Sequence, residues 1–76
     1  MKLFYEYVES IRTIKDELNR LVRDKEIPKE VRREAMEART HFRYELKHLK
    51  TCDREDYAVA MINRYNPKIL EFYSRF

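Results

Sequence analysis

The 76-residue chain, 9.5 kDa in mass, has room for one small domain and none for a catalytic domain beside a binding domain. It contains no glycine and two prolines, where an average chain of this length carries about five glycines. This argues against most β-sandwiches, barrels, P-loops and dinucleotide-binding turns, which rely on Gly-bearing turns. The hydrophobic content of 43% beside 41% charged residues suits amphipathic helices and exceeds that of a disordered chain, while a formal charge of +3 defines no partner until its placement is known.

At the N-terminus, Glu6 and Glu9 arrive before any apolar run long enough for a signal peptide or a membrane span. The single cysteine, Cys52, has no partner for an internal disulfide. Both features lead to the expectation of a cytoplasmic protein without membrane association.

The first segment carries Phe4, Tyr7, Ile11, Ile14, Leu18 and Leu21 at alternating intervals of three and four, broadened by Val8 and Val22. That stripe predicts a helix of about five turns. Its end is expected near Lys25, because Ile27 precedes a proline and Pro28 suits the first turn of a following helix. A competing reading takes residues 3–8 as a strand ahead of two helices, the order of a ribbon-helix-helix DNA binder. Phe4 and Tyr7 already belong to the helical stripe, and no glycine marks the turn, so the helix is preferred.

From Pro28 to about Lys50 the apolar stripe is Val31, Ala35, Ala38, Phe42, Leu46 and Leu49. Its early alanines would let a neighbouring helix approach closely. Thr51 and Asp53 then offer an N-cap, with Glu55 and Asp56 suited to the first turn of a third helix. The third stripe is Ala58, Met61 or Ile62, Tyr65, Ile69, Phe72 and Phe76, and it runs through Pro67, which would either kink one helix or, with Asn66 as N-cap, open a new one. The fold expected is an all-α, single-domain three-helix bundle, an antiparallel hairpin with a third helix across it. A second apolar row of Val59, Ile62, Leu70 and Tyr73, extended by Phe76, makes the third helix wider in its apolar face than two neighbours cover. It predicts an interface with another protein or with further copies of the chain, a homo-oligomer.

Charge is ordered on the second helix. At 100° per residue, Lys29, Arg32, Arg39, Arg43, Lys47 and Lys50 fall along one flank of the stripe, while Glu34, Glu37, His41, Glu45, His48 and Cys52 occupy the other. Such lanes commonly serve as solvated faces held by pairs one turn apart. The functional alternative is an anion-binding lane for nucleic acid or a phosphorylated nucleotide, built on Arg32, Arg39, Arg43, Lys47 and Lys50. Arg12, Lys15 and Arg23 lie on the corresponding flank of the first helix, and in antiparallel packing like flanks face each other, so these cations are expected to join the lane. Tyr44 lies off the core on the far side of the second helix and Tyr5 off the core of the first, where a ring can stack on a base. No helix-turn-helix, Gly-bearing RNA-binding signature or basic zipper accompanies them.

The opposite lane raises a metal question, since Glu45 and His48 have the spacing used in di-metal carboxylate bundles. A second such motif is missing from the sequence, and four ligands from His41 to Cys52 span about 16 Å of helix, too far for one ion. Cys52 and His48, one turn apart, could pair as thiol and imidazole, yet no oxyanion donor or pocket accompanies them. Neither a metal nor any other cofactor is expected, and no catalysis. The leading expectation is a small non-enzymatic interaction module, an inhibitor or adaptor of the kind common in phages and mobile elements, docking through the apolar face of its third helix. Anion binding by the basic lane is the alternative.

Overall fold

In the computed structural model, which describes residues 7–52 and 54–76, the three apolar stripes wind into α1 (Val8–Arg23), α2 (Lys29–Cys52) and α3 (Glu55–Ser74). Each helix packs on the other two. The cross-helix partners give the directions: Asn19 meets Arg39, Glu45 meets Arg64 and Glu34 meets Arg75, so α2 runs against both neighbours, while Tyr7 with Glu55 and Glu17 with Tyr73 set α1 and α3 side by side. The all-α three-helix bundle is therefore the fold. No strand occurs among the described residues. Tyr7 caps α1 in a helical conformation and Val8 opens the helix rather than ending a strand, while the other residues of the strand reading, 3–6 with Phe4 and Tyr5 among them, lie outside the described residues. Among the described residues no helix is long and apolar enough to cross a membrane.

The core follows the stripes closely. Ile11, Ile14, Leu18 and Leu21 of α1 meet Val31, Ala35, Ala38, Phe42 and Leu49 of α2 and Ala58, Met61, Tyr65, Ile69 and Phe72 of α3. Phe42 and Tyr65 meet edge to face, centroids 5.1 Å apart. A domain of this length has a total stability on the order of 4–11 kcal/mol. Truncating a fully buried side chain such as Phe42 to alanine costs about 3–5 kcal/mol, so one such change removes much of it.

Details at the ends differ from the expectations. α1 stops at Arg23, and Asp24 builds the turn: its N–H bonds the Arg20 carbonyl at 2.9 Å, and its carboxylate accepts the Glu26 N–H at 3.0 Å. Ile27, in this loop and outside any stripe, is buried and plugs the core. Pro28 stands just before α2, its carbonyl accepting the Arg32 N–H at 3.0 Å. Thr51 is not an N-cap. α2 continues to Cys52, with the Thr51 hydroxyl bonded back to the Lys47 carbonyl at 3.1 Å, a pairing that a helix permits. Asp53 lies outside the described residues, and Arg54 occupies the cap of α3 without a side-chain cap bond.

Pro67 interrupts nothing: α3 is a single helix from Glu55 to Ser74, so Asn66 caps no second helix. Both Pro67 and Asn63, whose carbonyl the missing N–H would have bonded, are exposed, so the freed acceptor is on the side that solvent reaches. Met61 takes the core position and Ile62 packs half-buried on the flank, as does Leu46 in α2. Phe76 lies past the end of α3 and is exposed, so the third core stripe ends at Phe72.

Candidate functional site

Antiparallel packing of α1 on α2 leaves a groove of about 280 Å³ along one side of their contact, lined by Lys15, Asn19, Arg39, Phe42, Arg43, Leu46, Lys47 and Lys50. Its cations come from the spacing of α2. Arg39, Arg43, Lys47 and Lys50 recur at intervals of four, four and three, which keeps them on one face over about 16 Å of helix axis. Lys15 faces them from α1. Phe42 and Leu46 contribute the apolar lining, so five positive charges stand at a groove whose lining, among the described residues, includes no carboxylate.

Arg39 occupies the centre of this arrangement. It is half-buried, its Nη1 donates to Asn19 Oδ1 at 3.1 Å, and its Nε is buried with no partner among the described residues. Burial, and then the charges of Arg43 and Arg23, push the Arg39 guanidinium below its ordinary pKa. Arginine stays charged at any physiological pH, so the shift describes a cation held in an unfavourable place that a nearby anion would relieve.

Not every cation of the expected lane joins this groove. Lys15, Arg39, Arg43, Lys47 and Lys50 line it together. Arg12 instead stands 3.9 Å from Glu9, one turn away on α1, and Arg32 lies half-buried outside the lining with its own Nε unpartnered. Asn19 has no counterpart in the charge pattern. Its sole signal is its position one turn after Lys15, and its role emerges only when α2 places Arg39 opposite.

The acidic lane of α2 turns toward α3. Glu45 accepts from both the Arg64 guanidinium and the Tyr65 hydroxyl, and Glu34 receives a two-pronged bond from Arg75, with Nη1 to Oε1 at 2.7 Å and Nη2 to Oε2 at 2.9 Å. That fork holds the Glu34 carboxyl below its usual pKa. His48 lies against the Tyr57 ring, centroids 5.1 Å apart, and the Cys52 thiol faces the Leu49 carbonyl at 3.8 Å. His41 lines a separate hollow with Glu34, Glu37 and Lys68. Among the described residues no group of three metal-ligating side chains converges. The ion pairs of this lane thus tie α2 to α3 and to Arg75 just past its end, and among the described residues no ion pair involves a cation of the groove.

The second apolar row of α3 divides. Ile62 and Tyr73 pack against the chain's own core, with the Tyr73 hydroxyl donating to Glu17 and its ring under Arg20 at 5.7 Å. Val59 is half-buried, whereas Leu70 remains 70% exposed and Phe76 51%. Leu70 and Tyr73 border an open hollow of about 500 Å³ against α1. No protein-family model, curated protein or solved structure matches the chain.

Proposed function

We propose that the protein is a non-catalytic binding module that holds the phosphates of a nucleic-acid backbone in the groove between α1 and α2. One observation carries this: among the described residues, five cations, Lys15, Arg39, Arg43, Lys47 and Lys50, line a groove without a carboxylate, and Arg39 keeps a buried Nε without a partner. In a merely solvated face, oppositely charged neighbours offset such crowding, as Glu45 does for Arg64 and Glu34 for Arg75. A row of phosphates supplies the missing negative charge, and its counterions are released on binding. Fluorescence anisotropy at low salt tests the proposal. Labelled oligonucleotide and inorganic polyphosphate should both bind, and a flat titration with both rejects it.

The second reading is docking of another protein on the α3 end of the bundle, favoured by the exposure of Leu70, which borders the hollow against α1, and of Phe76. It has a narrower surface than the full apolar row, because Ile62 and Tyr73 serve the internal core. Self-association through the same face is tested by light scattering, and a monomer at high micromolar concentration excludes it.

A further inference from the structure

The side of α2 next to the groove carries an aromatic ring that the bundle does not use. Tyr44 is 72% exposed and borders a shallow hollow of about 270 Å³ with Thr40, Arg43 and Lys47. Arg43 and Lys47 also line the cationic groove, so they stand between the two depressions. The other aromatic contacts among the described residues pair Phe42 with Tyr65, His48 with Tyr57 and Tyr73 with Phe76, and none includes Tyr44. The hydroxyls of Tyr65 and Tyr73 are bound to glutamates, whereas Tyr44 has no such tie.

We infer that the ligand of the groove is single-stranded nucleic acid, with Tyr44 as the platform on which a base stacks while Arg43 and Lys47 hold the adjoining phosphates. This rests on the phosphate-binding role of the groove. A polyanion without bases would gain nothing from an exposed ring, whereas an unpaired base offers a π-face to it, and cations beside stacking aromatics are the usual means of holding single strands. A duplex fits less well, because its bases stack on one another and present only edges to the grooves. The cationic row from Arg39 to Lys50 is about 16 Å long, which at about 3.4 Å per nucleotide of stacked strand covers about five nucleotides.

The experiment uses the full chain in fluorescence anisotropy at low salt. The probe is a labelled oligothymidylate of about eight nucleotides, within the range such grooves cover, and a hairpin duplex and inorganic polyphosphate compete against it. Tyr44→Ala should weaken oligothymidylate binding about ten-fold, Tyr44→Phe should retain it, and polyphosphate binding should be the same in all three proteins. Circular dichroism should show equal helicity, since the position is exposed. Undiminished oligothymidylate binding by Tyr44→Ala, or preference for the duplex, overturns the inference while leaving the phosphate groove intact. Failure of the unaltered protein to bind either oligothymidylate or polyphosphate overturns both.

Discussion

Arg39 Nη1 donates to Asn19 Oδ1 at 3.1 Å, tying α2 to α1, while Nε of the same guanidinium is buried with no partner among the described residues. One side chain thus fastens two helices and carries an unmet demand for an acceptor. With Arg43 and Arg23 adding repulsion, Arg39 is a place where binding and stability pull apart.

Arg39→Met keeps the aliphatic stem and removes the charge. Its urea midpoint should equal or exceed that of the unaltered protein, because a desolvated cation among like charges is replaced by an apolar chain of similar length. Asn19→Ala removes the acceptor and leaves the cation, and should lower stability by about 1 kcal/mol. Loss of more than about 2 kcal/mol in Arg39→Met would mean that the guanidinium is fully satisfied in the free protein, contrary to its orphaned Nε.

Salt dependence measures how many phosphates the groove neutralises. For single strands the slope of log K against log salt is about −0.7 per contact, so Arg39→Ala with Arg43→Ala should reduce its magnitude by about 1.4. The paired variant should retain its helical circular dichroism, since alanine is a good helix former and neither residue belongs to the apolar core. An unchanged slope would place the phosphates elsewhere.

Pro67 lies inside α3 on the exposed side. Proline in a helix interior costs up to about 3 kcal/mol relative to alanine, and solvent access on the Asn63 side recovers part of that. Pro67→Ala should therefore raise stability by about 1–3 kcal/mol, read from the urea midpoint, with circular dichroism showing no new helix boundary. A fall in stability would show that the proline ring makes packing contacts α3 depends on.

The bundle was legible because apolar intervals of three and four record which side of each helix faces inward, from Ile11 to Leu21, Val31 to Leu49 and Ala58 to Phe72. Ile27 escaped that pattern because a loop residue has no periodicity to betray it. Thr51 resembled a cap, yet the same hydroxyl can bond back to Lys47 within a helix, and composition does not choose between the two. The basic lane was visible from angle alone, so Arg39, Arg43, Lys47 and Lys50 emerged together. The departure of Arg12 and the contribution of Asn19 depend on the register between α1 and α2. So does the engagement of Glu34 and Glu45 by Arg75 and Arg64, partners 41 and 19 positions away. Such register is set by packing of the whole core and has no local signature.

Two of the tyrosines joined to glutamates, Tyr65 and Tyr73, give the bundle an alkaline weakness. Burial, then the bond to Glu17, pushes Tyr73 up to about 12, and burial with Glu45 raises Tyr65 as well, from an ordinary value of about 10. Below about pH 10 both the folded and the unfolded chain keep these protons, and the stabilisation is whole. As pH rises past 10 the unfolded chain releases them while the folded one retains them, so unfolding gains and stability falls through about pH 12. The steepest possible fall is about 1.4 kcal/mol per pH unit for each tyrosine, and solvent screening of these half-buried hydroxyls makes the actual slope smaller. Tyr73→Phe and Tyr65→Phe should each cost about 1 kcal/mol at pH 7, through the lost hydrogen bond to a carboxylate. Each should also flatten the decline of the urea midpoint between pH 9 and 12, and the two effects should add, because Tyr73 is bound to α1 and Tyr65 to α2. A midpoint in the double variant that falls as steeply as in the unaltered protein would place the alkaline loss in other groups and break the link between these two bonds and the stability of α3.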